Sequence, residues 1–225
     1  MPNVITTVPS TCASLAEPQT APANPSIKIP QHVLDEHRYF NIYDDWYEPI
    51  LMQASEDAKG YGWEVDTDNI NFTGFYSQGD GASFTGECWS AQEVTLFLDT
   101  LAGEYPYTRL LLSREGHVSF MLERTDSRYY HENTVKLYIE ADEFLRFMDQ
   151  RTVSPLRLQA AEALDALLNE ELKVLEVDAI DFLRRKMREV YGNLEEEHDY
   201  LTSDEQVTEA ILDNDLYDPT EEEED

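Results

Sequence analysis

Between residues 41 and 212 apolar positions either alternate or recur every three to four residues, and each period predicts an element. The most informative stretch is Asn69 to Trp89, NINFTGFYSQGDGASFTGECW. Two β-prone segments, Ile70 to Tyr76 and Ala82 to Cys88, flank Ser77-Gln78-Gly79-Asp80-Gly81, whose glycines can take the positive φ that a tight reversal needs. A β-hairpin follows. Phe72, Phe75, Phe84 and Trp89 put large apolar groups on it, so it is expected to form the central pair of a sheet.

Upstream, Tyr43, Trp46, Tyr47, Ile50, Leu51 and Ala54 share one helical face. Pro49 places the start of the regular helix near Glu48, after an irregular lead-in, and Gly60-Tyr61-Gly62 ends it. Trp63 to Val65 reads as a short strand. Ser90-Ala91-Gln92-Glu93 is a capping box, with Val94, Phe97, Leu98 and Leu101 behind it, and predicts a helix from Ala91 to about Ala102. Arg109 to Ser113 and His117 to Glu123, separated by Arg114-Glu115-Gly116, form a second hairpin candidate. Thr134 to Glu140 alternates with the period of a half-buried strand.

The remainder reads as helical: Asp142 to Gln150, Leu156 to about Val174, Asp178 to His198, and a last helix capped at Thr202-Ser203-Asp204 that runs to about Leu212. The expected fold is α+β: an antiparallel meander of four to five strands with helices packed mainly on one face. Residues 1–34, rich in Thr, Ser, Ala and Pro, are expected to be a disordered leader. Residues 35–213 are expected to form a single domain, and 214–225 an acidic disordered tail.

Charge changes the picture most. The 225 residues include 47 acidic and 16 basic ones, a net charge of -31. Such a chain lacks the counterion-release term that drives nucleic-acid binding, and its main basic cluster is Arg184-Arg185-Lys186 with Arg188. Anionic membrane surfaces are disfavoured for the same reason, and no apolar run is long enough to span a bilayer. A basic partner protein, or mimicry of DNA toward a DNA-binding protein, remains compatible; acidity that serves only solubility does too. The two cysteines, Cys12 and Cys88, offer no disulfide framework, which fits a reducing cytoplasm, and the N-terminus lacks the pattern of a secretory signal.

Two segments could carry chemistry. In the Ser77-Gln78-Gly79-Asp80-Gly81 loop the backbone could approach a ligand and Asp80 could accept a proton, although Gly-Asp-Gly is also ordinary turn chemistry. Tyr130, His131, Glu132 and Asn133 can donate, accept and titrate, but in a strand His131 and Glu132 would point to opposite faces and not pair. Ser77, His131 and Asp80 could be drawn as a triad, yet no spacing brings them together. The five histidines show no metal spacing, and no cofactor motif is present.

Three blocks, NINFTGFYSQGDGASFTGE, SRYYHENTVKLYIE and LEEEHDYLTSDEQVTEAILDNDLY, resemble in sequence and order a family of small acidic proteins of tailed bacteriophages, sometimes labelled the antitoxin of a toxin-antitoxin stability system. The resemblance runs from roughly Asp35 to Asp218 and carries over no catalytic residue. The resemblance implies a phage origin and little about activity; taken with the charge, the expected role is a non-enzymatic protein of the host cytoplasm that binds and neutralises or redirects a host defence or toxin protein with a basic surface. A DNA-mimic inhibitor is a special case. The alternatives are a hydrolase or nucleic-acid-processing enzyme with a site near Asp80 and His131, and a virion component.

Overall fold

The computed structural model describes residues 28–125, 128–148 and 153–217, and the expectations for the leader up to 27 and the tail from 218 lie outside them. The organising element is a single helix. Two helices were expected after Ser154, but no glycine or proline interrupts the run from Leu156 to Tyr191, and one helix of 47 residues, Pro155–Leu201, takes the place of both. At 1.5 Å per residue it is about 70 Å long. Ser154 caps it and Pro155 occupies its first turn, where the missing N–H costs nothing. One stripe, including Ala161, Leu168, Leu175, Leu183, Met187 and Leu194, is buried along its length.

In chain order the elements before it are α1 (Gln31–Glu36), α2 (Glu48–Gly60), β1 (Ile70–Thr73), β2 (Gly81–Phe84), β3 (Gly86–Cys88), α3 (Ala91–Thr100), α4 (Pro106–Ser113), β4 (Val118–Arg124) and β5 (Val135–Ala141). The long helix is α5, and α6 (Asp204–Asp213) follows. The fold is α+β, and the described residues form five strands in two antiparallel sheets.

The first hairpin forms as expected in place but not in extent. Ile70 pairs with Phe84 and Thr73 with Gly81, so the reversal occupies residues 74–80. The hairpin is not the centre of a larger sheet, because the strand expected from Ala82 to Cys88 breaks at Thr85. β3 leaves to join β4, and the three-stranded order is β3-β4-β5, with Cys88 opposite Phe120 and Phe120 opposite Ile139. Gly86 permits the switch: a Cβ there would stand 2.4 Å from the Glu64 carbonyl oxygen. Glu64 and Glu87 exchange main-chain bonds of 2.8 and 3.1 Å in an isolated bridge, which replaces the strand expected at Trp63 to Val65.

The second hairpin does not form. Arg109 to Ser113 belongs to α4, a helix whose first N–H groups are satisfied from outside: the Glu171 carboxylate of α5 accepts from the Tyr107 N–H (3.0 Å) and from the Thr108 N–H and hydroxyl (both 2.7 Å). A three-leucine run is compatible with strand or helix; Pro106 in the first turn and this distant cap both favour the helix. The helix expected over Asp142 to Gln150 is a 3-10 turn, Phe144–Phe147, whose Phe144 and Leu145 N–H groups donate to buried Asp165 of α5 at 2.5 and 3.2 Å. By contrast α3 starts as its sequence dictates. Ser90 and Glu93 cap each other's backbone, and the bond from the Ser90 N–H holds the Glu93 carboxyl below its ordinary range.

The main core lies between α5 and the sheets. Trp63, Phe97 and Phe120 meet edge to face there, with centroids 5.4 Å apart for Trp63–Phe97 and 5.3 Å for Phe97–Phe120. A small second cluster joins Val33 and Leu34 of α1 to Val207 and Ile211 of α6. Gln31 to Leu34, expected in the leader, are therefore part of the folded body.

Candidate functional site

The two segments singled out in the sequence do meet. Gly81 is where they touch: a Cβ on it would stand 3.1 Å from the His131 ring and 3.2 Å from its Cα, and one on Gly79 would stand 3.5 Å from the Tyr129 ring. The absence of a side chain at Gly81 is what lets the residues 129–133 segment lie against the start of β2.

What meets there is already partnered. Asp80 folds back into its own loop, its carboxylate accepting from the Ser77 N–H at 2.6 Å while the Asp80 N–H donates to the Ser77 carbonyl at 3.2 Å. Ser77 and Gln78 are exposed beside it. Residues 132–134 form a 3-10 turn with His131 as its N-cap, and this corrects the expectation that neighbours in a strand would diverge: the His131 Nδ1 is 2.9 Å from the Glu132 carboxylate. The same nitrogen is 3.2 Å from the Asn133 N–H. A proton on Nδ1 suits Glu132 and a lone pair suits Asn133, so it serves one at a time; the turn requires the bond from Asn133. Glu132 is held besides by Arg188 at 3.3 Å, and its carbonyl accepts from Arg184 Nε at 3.3 Å. Tyr130 lies under the Arg124 guanidinium, 4.4 Å from ring centre to Cζ. Two of the arginines in the basic cluster thus pin the Glu132 turn to α5.

Periodicity and spacing did not reveal a second constellation at the end of α5. Phe75 stacks on Tyr191 (5.6 Å) and lies 4.7 Å from the His198 ring, with Trp46 a further 5.9 Å from His198. The Tyr191 hydroxyl donates to the Gly74 carbonyl at 3.1 Å, and burial, with the Asp80 charge behind it, raises its pKa. Tyr76, at φ 73, donates its hydroxyl to Asp199, and that bond pushes the phenol up to about 12. The His198 Nδ1 is buried without a hydrogen bond, 3.6 Å from Asp199. The loop is thereby clamped onto α5, an arrangement whose only signal in the sequence is the density of aromatic residues on both sides.

Around this clamp the surface is aromatic and acidic together. The Asn41 side chain donates to the Leu201 and Gln206 carbonyls, and Arg38 bridges Asp35 and Asp204 while donating to the Thr202 carbonyl, so the segment before α2 wraps the junction of α5 and α6. That leaves Tyr39, Tyr43, Tyr76 and Tyr200 exposed by 58, 81, 70 and 56% at one end of the molecule. Asp44, Asp45, Glu196, Asp199, Asp204 and Glu205 are exposed among them. Large exposed rings with polar tips, ringed by charge, are the composition of an interface anchor.

Among the described residues no group of three or more His, Cys, Asp or Glu side chains is placed to hold a metal ion, and no helix is long and apolar enough to cross a membrane. A family model described as Domain of unknown function (DUF8835) matches residues 46–204. No curated protein and no solved structure matches the chain.

Proposed function

We propose, for a chain that belongs to the DUF8835 family and takes no activity from that family's description, a binding role without chemistry of its own. Its partner is a protein with a basic surface, which it neutralises or redirects. The observation that carries this reading is the aromatic and acidic end of the molecule: four tyrosines more than half exposed, set among carboxylates where α5 meets α6. A net charge of -31 steers a basic partner toward the protein, and the tyrosines supply apolar contact once the two have met. The enzyme alternative draws less support, since Asp80, His131 and Glu132 are each engaged in holding a turn. The resemblance to acidic phage proteins makes the partner a host defence or toxin protein in the cytoplasm.

The test is affinity capture from host cells with the full chain, at low salt and at about 0.5 M salt, where the Debye length has shrunk to a few ångströms. A basic protein is expected to be retained at low salt, released at high salt, and lost from a Tyr43→Ser, Tyr200→Ser variant whose circular dichroism is unchanged. Retention of the same protein by that variant would assign binding to another surface. Displacement of the partner by duplex DNA would identify DNA mimicry as the means.

A further inference from the structure

The outward face of α5, opposite its buried stripe, carries a second apolar pattern. Leu156, Ala160, Ala163 and Leu167 follow one another at steps of four, three and four, and after Glu170 the pattern continues through Val174 and Val177 at four and three. That is the heptad spacing of a coiled-coil seam over three repeats. All seven positions are exposed, Leu156 by 76%, Leu167 by 45% and both valines by 58%. From Asp181 onward the same face turns polar, with exposed Arg185 and Arg188. An amphipathic surface helix needs one apolar stripe; here one end of a long helix has two.

We infer that the Leu156–Val177 face of α5 docks on the same face of a second copy, the two helices antiparallel. Three features select this occupant. The first is charge: on a molecule of net -31, the outward face between Leu156 and Val177 is close to balanced, with Arg157 and Lys173 against Glu162, Glu170 and Glu176, so local repulsion between two such faces is small. Asp165 and Glu171 do not add to it, since they cap Phe144 and Thr108 within the fold. The second is complementarity under a two-fold axis midway between Leu167 and Glu170, which sets the Leu167 of each copy against the Glu170 of the other. Glu162 and Lys173 are eleven residues apart, about three turns, and so lie on one flank. Antiparallel pairing brings the Lys173 of each copy to within two residues, about 3 Å along the axis, of the Glu162 of the other, twice by symmetry. The third is shape, because the same register sets Ala160 and Ala163 against Val177 and Val174 of the other copy, small opposite β-branched, so the backbones approach closely.

Glu170 is the polar residue within the seam, held by its own Lys173 at 2.7 Å. Its carboxylate weakens the pair and gives the experiment a variant that gains as well as one that loses. Sedimentation at about 0.1 mM protein, enough to populate a dimer of ~10 µM Kd, and at about 0.5 M salt to screen the net charge, is expected to report twice the chain mass. Leu167→Glu should be monomeric with unchanged circular dichroism, and Glu170→Leu should dimerise more tightly by at least tenfold. In a Cys12→Ser background, mixed Ala163→Cys and Val174→Cys chains should form a disulfide-linked heterodimer in preference to either homodimer. The proposal fails if the wild type and Glu170→Leu are both monomeric under these conditions, or if homodimers of Leu167→Cys link while the mixed pair does not. Protection of the stripe from hydrogen exchange in a monomer, lost when residues 1–27 are removed, would give the face to the chain's own N-terminal segment and overturn it as well.

Discussion

Asp165 shows how a single acidic residue in this chain can be structural. It sits on the buried stripe of α5 between Ala161 and Leu168, 8% exposed, and accepts both leading N–H groups of the 3-10 turn at Phe144. Asp165→Ala leaves those donors buried without partners, and a loss of about 1–3 kcal/mol is expected as a lowered urea midpoint. An unchanged midpoint would mean water replaces the carboxylate. Tyr76 is a residue of the opposite kind, exposed and tethered. Its phenol is raised to about 12 because the fold favours the protonated form that donates to Asp199. The tether is therefore intact below the ordinary tyrosine value of about 10 and is lost as pH rises through about 12. The near-ultraviolet circular dichroism of the Trp46–Phe75–His198 cluster should change over that window in the wild type and change less in Tyr76→Phe. Equal changes in both would show that the tether does not hold the loop.

At the scale of elements, the starts that a local cap governs were legible. Ser90 with Glu93, Ser154 with Pro155 and Ser203 before α6 each cap the helix that follows them. Starts governed from a distance were not: α4 has Pro106 in its first turn, but its N–H groups are capped by Glu171, 63 residues away, and nothing within Arg109 to Ser113 distinguishes its leucines from a strand's. The junction of the two candidate segments is of the same kind. Gly81→Ala would push a methyl group to 3.1 Å from the His131 ring, and the overpacking is expected to cost about 1–3 kcal/mol. Faster hydrogen exchange in residues 129–133 as well as in the hairpin would mark the two as one unit. Change confined to the hairpin would mean that the Arg184 and Arg188 bonds hold the second segment unaided.

For the whole molecule the net charge makes opposite demands on its two proposed associations. Binding to a basic partner should weaken as salt rises, whereas pairing of two copies of a -31 chain should strengthen, because screening removes attraction in one case and repulsion in the other. Titrating salt against both readouts on the same preparation separates them, and matching slopes would show one of the two surfaces to be misassigned. By itself the sequence determined the α+β class, the first hairpin, the capped helices and the acidity, since these rest on neighbouring residues and on totals. It also marked the two segments that meet at Gly81. Only the tertiary structure decided that they meet, that Thr85 breaks a strand between two sheets, that α4 is helical, and that tyrosines far apart in the chain share one acidic end. Each of these depends on partners dozens of residues away, and local periodicity is blind to such partners.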